Sequence, residues 1–421
     1  MQVNIRLLVI LAACLVALVG AQQATAAPGL KYGLTDDAWL ATGPGSLPSR
    51  VAKLKTLGVR VVRFSVRWDQ VARTKPTTPT DPSDTAYDWS TADPVLDALR
   101  SAGIDVVVQL VGTPSWANGR HASNYAPTSP TTFGDFASAA AQQYPWVHRW
   151  LIWNEPNQAR WLRPTSASIY TTRLLNPAYA AIHAQIPGAQ VAGGGTAPRG
   201  ATGGVSPTAW LLAMHAAHAK LDAYAHNPYP LDPKRESPLT GGCRHCTTIT
   251  MATIDKLVAL VARSWPRARI WLTEYGYQSN PPDRLLGVPL ALQAQYVGEG
   301  AYAAYKTPRV DLLIHFLYRD EPQLARFQSG LVTVTNAQKP AYAAFQLPLA
   351  QVSRTQLWGQ FRAPAAAHTG RLERRVGSQW TTIATVHAGA GGFFNWHGRL
   401  QRGWQVRLHA DALAGAPITI G

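Results

Sequence analysis

Between Tyr32 and Pro348 the sequence repeats one unit eight times. In each, a short run rich in Val, Ile and aromatic residues leads through a polar, often Pro-marked loop into an Ala- and Leu-rich segment with helical spacing. The strand-like runs are 31–34, 60–64, 105–111, 149–153, 190–194, 221–225, 269–273 and 310–316; the helical segments are 47–57, 90–102, 131–144, 166–186, 207–220, 250–264, 290–305 and 340–345. At roughly 40 residues per unit, this alternation predicts a closed (β/α)8 barrel. An open doubly wound sheet is the other α/β arrangement with such a repeat, but it carries a spaced glycine fingerprint after its first strand, and this chain has none there. Gly193, Gly194 and Gly195 lack that spacing and read as barrel packing and a tight exit from the fifth run.

After residue 349 the period changes. Runs at 356–361, 370–376, 380–386, 392–396, 405–409 and 418–420 alternate apolar and polar residues between Gly, Ala and His turns. They predict a small antiparallel, sandwich-like β domain over 350–421, with one face buried. Trp380, Trp396 and Trp404 would either form a sugar-binding face or pack the domain onto the barrel as a structural companion. Their position in alternating strands favours the companion.

The first 27 residues read as a signal peptide, leaving a barrel domain over 28–349. Arg6 precedes an apolar run at 7–19, too short to span a membrane, and the small residues Ala24, Thr25, Ala26 and Ala27 follow. A rival reading takes Leu11, Ala12, Ala13 and Cys14 as a lipoprotein box with Cys14 lipidated, although the residues after Cys14 stay apolar. The expectation is a secreted, extracellular protein with no integral membrane segment once the signal is removed. Cys243 and Cys246 then remain, and an oxidising compartment favours pairing them as a disulfide. A zinc site would recruit His245 but needs a second ligand pair that is missing from the sequence, so no metal is expected.

A content of 46% hydrophobic and 15% charged residues excludes a disordered polymer and a coiled coil. The net charge of +16 raises nucleic acid as a partner. The basic residues are scattered, with no run of five, so a nucleic-acid partner is not expected. Fifteen Trp and fifteen Tyr suit stacking on sugar rings, or else a large aromatic core. The chain is expected to act as a monomer.

Barrel active sites lie at the C-terminal ends of the strands. The fourth run continues as Trp153, Asn154, Glu155, Pro156, Asn157, and the seventh as Leu272, Thr273, Glu274, Tyr275, Gly276. Either acid alone reads as a rim salt bridge. Two at matching ends of opposite strands read as a pair, and glycosidic cleavage needs two carboxyl groups, one to protonate the departing oxygen and one to meet the cationic sugar carbon.

WNEPN at 153–157 and LTEYG at 272–276 resemble the acid/base and nucleophile motifs of the retaining glycoside hydrolases of clan A. The similarity is greatest to family 39 and the cellulase-like family 5, which include bacterial exopolysaccharide hydrolases. It spans the barrel and stops before the C-terminal domain. The resemblance implies Glu155 as general acid/base, Glu274 as nucleophile, and Asn154 as the residue holding the sugar 2-hydroxyl. Arg63, in VVRFSVRW, resembles the arginine that steadies the nucleophile; an arginine merely facing outward is the plain alternative. His226 and Tyr229, in HNPY, are similar to the clan's substrate- and nucleophile-bonding pair, and a core histidine is the plain alternative for His226. The eighth run departs from the pattern, offering His315, Phe316, Leu317 and Tyr318 where many relatives place a tryptophan under the sugar. Trp116 and Trp161 are candidate stacking residues or loop anchors. The implied activity is retaining hydrolysis of a β-linked poly- or oligosaccharide by double displacement, without cofactor. A non-catalytic carbohydrate-binding or polysaccharide-associated protein on the same barrel is the alternative.

Overall fold

The computed structural model describes residues 29–363 and 368–421; the expected signal peptide, with Cys14, lies outside them. Eight parallel strands form the barrel: β1 (Lys31–Thr35), β2 (Val61–Arg67), β3 (Asp105–Val111), β4 (Arg149–Ile152), β5 (Gln190–Thr196), β6 (Ala223–His226), β7 (Arg269–Tyr275) and β8 (Val310–Phe316). They close in the order β1-β8-β7-β6-β5-β4-β3-β2. Around them run α1 (Leu47–Leu57), α2 (Asp93–Ser101), α3 (Pro130–Gln143), α4 (Asn176–Gln185), α5 (Pro207–Ala216), α6 (Ile254–Ser264), α7 (Leu290–Lys306) and α8 (Pro340–Gln346). The barrel interior is packed with side chains such as Val107, Leu151, Trp271, Leu312 and Ile314. It is a core and not a pore, so chemistry is confined to the rim.

Local sequence explains the element ends. Ser46, Ser129 and Ser206 each accept a backbone N–H from the helix they precede, and a proline follows within the first turn, where its missing donor costs nothing. The predicted helix over 166–186 is broken into Ala167–Tyr170, a wide turn at Thr171–Leu175, and α4. Pro177 is the cause: it has no N–H to give to the carbonyl four residues back, so the ladder widens before it. On β5, Gly194 has φ +96°, and a Cβ there would lie 2.9 Å from the Ala225 carbonyl oxygen and from the Tyr224 ring, so only glycine fits.

The C-terminal module holds two antiparallel sheets. One is β9 (Leu349–Ser353), β10 (Gln356–Gln360) and β13 (Phe393–His397); the other is built from β11 (Thr369–Val376), β12 (Gln379–His387), β14 (Gln405–Ala410) and β15 (Leu413–Ala414), with β16 (Ile418–Thr419) pairing β14. Leu357, Phe361, Leu372, Phe394 and Leu408 form its core. The first sheet also packs on the barrel. Trp358 is fully buried with ring centroids 5.6 and 5.3 Å from Tyr302 and Tyr305 of α7, and the buried Arg362 guanidinium lies 3.7 Å from the centre of the Tyr32 ring of β1. Of the three tryptophans expected to be embedded, Trp396 and Trp404 pack against the module core. Trp380, opposite Arg375 and half-buried, is instead covered by the Arg407 guanidinium, 4.2 Å from its ring centre. Among the described residues no helix is long and apolar enough to cross a membrane.

Candidate active site

The strand ends open into a cavity of about 550 Å³ lined by Arg63, Asn154, Glu155, Trp161, Tyr229 and Glu274, among others. Six of the residues singled out from sequence are therefore brought together at the rim.

Glu155 is delivered by an unusual turn. After β4 ends at Ile152, Trp153 takes φ +70° and Glu155 φ +37°, left-handed conformations that cost non-glycine residues about 1 to 3 kcal/mol each. The turn is held from three sides. The Glu155 N–H donates to the Gly195 carbonyl at 2.9 Å. Gln109 of β3 donates from Nε2 to the Trp153 carbonyl at 2.8 Å and to Asn154 Oδ1 at 3.4 Å. Asn157 bonds across to the loop after β5, accepting from the Ala197 N–H at 2.9 Å and donating to the Val205 carbonyl at 2.9 Å.

Glu274 lies within β7 and not just beyond it, because that strand runs two residues further than its apolar run suggests. Its Oε1 is 2.7 Å from Arg63 Nη1 in a buried ion pair, and its Oε2 accepts from the Tyr229 hydroxyl at 3.0 Å. Arg63 is 4% exposed and donates from Nε to Thr35 Oγ1 at 3.3 Å. It points into the site and not outward.

Among the described residues Glu155 has no ion pair of this kind. Asn227 Nδ2 donates to its Oε1 at 3.1 Å. The carboxyl is pushed up to about 7, first by burial and then by the negative charge of Glu274; Asn227, Arg63 and Trp161 oppose this more weakly. The phenol of Tyr229 is raised well above its ordinary range by burial and by the same two carboxylates, so it stays a donor.

Asn227 is the site residue that motif reading passed over. It is fully buried, and Thr273 Oγ1 donates to its Oδ1 at 2.8 Å, which turns its amide nitrogen toward Glu155. A tight turn, Tyr229 N–H to Asn227 C=O at 2.9 Å, then places Tyr229 over Glu274. Gln109 is the other unforeseen member, recognisable only as a polar residue inside an apolar strand.

Two predicted residues lie elsewhere. His226 is fully buried behind the rim, with Nδ1 2.8 Å from Thr196 Oγ1 and Nε2 3.0 Å from the Ile249 carbonyl oxygen. Burial holds its pKa down to about 4, so it is a neutral core histidine. Trp116 anchors a loop: its indole N–H donates to the Ala72 carbonyl at 2.8 Å and its ring stands edge-on to Trp68. Trp161 does line the cavity. In place of the tryptophan expected of the eighth strand, Phe316 lines the cavity, its ring centroid 6.2 Å from Tyr229 and 5.0 Å from Phe327. His315 instead bonds the Ser329 carbonyl oxygen at 3.0 Å and is buried. Cys243 and Cys246 are bonded to each other in the exposed loop after β6, Cα atoms 5.6 Å apart.

The fold is a (β/α)8 barrel shared with solved glycoside hydrolases. Solved structures with this fold include family 39 glycoside hydrolases and other clan A enzymes. The family 39 enzyme from Xanthomonas axonopodis pv. citri aligns with a TM-score of 0.60 at 16% identity, covering 92% of this chain and 96% of that one. A family 39 hydrolase from the gut symbiont Bacteroides cellulosilyticus WH2 aligns with a TM-score of 0.60 at 15% identity, covering 90% and 81%. A monomeric β-xylosidase from Caulobacter crescentus CB15 aligns with a TM-score of 0.55 at 15% identity, covering 88% and 94%. At these identities the likeness is one of fold. No protein-family model and no curated protein matches the chain.

Proposed function

We propose that the protein is a secreted retaining glycoside hydrolase that cleaves a β-linked poly- or oligosaccharide by double displacement. One observation carries this reading: two carboxyl groups at one rim sit in opposite electrostatic environments, Glu274 ion-paired with Arg63 and Glu155 pushed up to about 7. The fold likeness to glycoside hydrolases, a β-xylosidase among them, supports the same class.

The residues divide the work accordingly. Glu274, ion-paired with Arg63 and accepting from the Tyr229 hydroxyl, attacks the anomeric carbon as the glycosidic C–O bond breaks. Glu155 gives its proton to the departing oxygen. Asn227 binds Oε1 of Glu155, which leaves the other oxygen to carry that proton. Loss of the proton leaves Glu155 anionic, and it then takes one from a water that attacks the glycosyl ester and frees Glu274. Asn154, beside Glu155 and held by Gln109, is placed for a sugar hydroxyl, while Trp161 and Phe316 offer ring faces. The chemistry asks for neither a metal nor an organic cofactor.

The test is hydrolysis of β-linked polysaccharides and aryl β-glycosides by the purified protein and by Glu155→Ala and Glu274→Ala. Release of reducing ends that both substitutions abolish supports the proposal. Tight saccharide binding without cleavage by the unaltered protein would establish the binding-protein alternative instead.

A further inference from the structure

Four arginines line the cavity: Arg63, Arg67, Arg160 and Arg199. Two are spent on carboxylates. Arg63 pairs with Glu274 at 2.7 Å, and Arg67 pairs with Asp69 at 2.9 Å. Arg160, after β4, and Arg199, after β5, are exposed, and among the described residues neither guanidinium has a hydrogen-bond or carboxylate partner. The other lining acids, Asp37 and Glu155, are not paired with them: Asp37 Oδ1 accepts the Ser65 N–H at 3.4 Å, and Asn227 Nδ2 donates to Glu155 Oε1 at 3.1 Å.

The two arginines are set on one wall by a braced scaffold. Gln158, only 8% exposed, donates from Nε2 to the Arg199 carbonyl and accepts the Ala201 N–H at 3.1 Å, so the loop after β4 is stitched to the loop after β5. The Trp161 and Leu162 N–H groups both return to the Gln158 carbonyl at 2.9 Å, fixing the turn that carries Arg160. The Arg160 guanidinium lies 5.7 Å from the Trp161 ring centre, directly beside a stacking face of the cavity. A planar guanidinium binds carboxylate or sulfate through two parallel hydrogen bonds and gives a neutral sugar no comparable partner. An overall charge of +16 adds a long-range field that draws polyanions in.

We propose that Arg160 and Arg199 form an anion-reading subsite, and that the substrate is an acidic saccharide carrying a carboxylate or sulfate on the unit bound against this wall. This rests on the glycosidase reading above and adds the substrate class to it. The two cationic residues act on specificity; the bond-breaking groups remain Glu155 and Glu274.

The test compares kcat/KM on matched pairs. Uronate polymers such as hyaluronan, heparosan and β-mannuronan are each assayed beside their carboxyl-reduced forms, and sulfated laminarin is assayed beside laminarin. The anionic member of at least one pair is preferred by about tenfold or more, the scale of a charge-assisted contact, and the preference weakens with salt. Which pair responds distinguishes carboxylate from sulfate. In Arg160→Gln/Arg199→Gln the selectivity ratio collapses toward one, whereas Arg160→Lys/Arg199→Lys retains part of it. Equal cleavage of both members of every pair overturns the subsite and leaves the glycosidase reading standing. Failure to cleave any glycoside counts against that reading alone. The subsite is then decided by calorimetric titration of Glu274→Gln with oligosaccharides of the same pairs, where equal affinity for charged and neutral members overturns it.

Discussion

Arg63 Nη1 lies 2.7 Å from Glu274 Oε1 in a pair that is almost wholly buried, and among the described residues Glu155 has no ion pair at all. The two acids of one cleft thereby meet different surroundings: the first faces a cation, and the second is pushed up to about 7 by burial and by the charge of the first. A nucleophile and a proton donor are what such a division provides.

Replacing the nucleophile tests that division. Glu274→Ala is expected to lower turnover about 1,000-fold or more, a rise of about 4 kcal/mol in the barrier. Added azide then occupies the vacated space and restores part of the activity, giving a glycosyl azide of inverted configuration. Near-normal turnover by Glu274→Ala would assign the nucleophile elsewhere.

The pH profile follows from Glu155. Because the proton must be present for the first step, kcat/KM falls as pH rises through about 7. Asn227 donates to the carboxylate and so favours the charged form. In Asn227→Ala that support is lost, Glu155 holds its proton to higher pH, and the alkaline limb moves upward. A limb that stays in place or moves down would separate Asn227 from the acid.

The same group sets a stability trend. Its folded pKa, about 7, is above the ordinary 4.5, so the stabilisation from the retained proton is full below pH 4.5 and is lost as pH rises through 7. Glu155→Gln cannot lose a proton. Its melting temperature should match that of the parent near pH 4 and exceed it at pH 8, by no more than about 3 kcal/mol of stability. Calorimetry at the two pH values checks this.

The C-terminal module is tied to the barrel by a buried aromatic seam. Trp358 packs on Tyr302, Tyr305 and Phe393, and Arg362 covers Tyr32. Trp358→Ala is expected to cost about 3 to 5 kcal/mol of stability, and a chain cut near Ala350 to lose solubility and melting temperature for every substrate alike. A truncated chain that melts like the full one would make the seam irrelevant. One that folds well yet loses activity on small aryl glycosides would mean that a residue beyond the cut reaches the cleft.

The barrel was legible because eight apolar runs buried on both faces leave few other architectures. Glu155 and Glu274 were legible because an acid ending such a run has nowhere to go but the rim. His226 and Asn227 mark where this reading stops. Neighbouring residues on a strand point to opposite sides, so one of the two faces the mouth and the other the helix layer. Composition favours the histidine as the functional one, but the register gives Asn227 the cleft. Its amide is then oriented by Thr273, a contact between residues 46 apart in sequence. The left-handed turn at Trp153 and Glu155 was equally invisible, since neither residue type advertises it and its supports come from Gln109 and Gly195.

The most direct test of the account is the stereochemical course. Proton NMR of a cleavable β-glycoside during the first turnovers, before mutarotation, reports the configuration of the newly formed hemiacetal. The double displacement through Glu274 predicts the β anomer first, with the α anomer appearing only as it equilibrates. An initial α anomer would mean that water attacks directly, and it would remove Glu274 from the role of nucleophile.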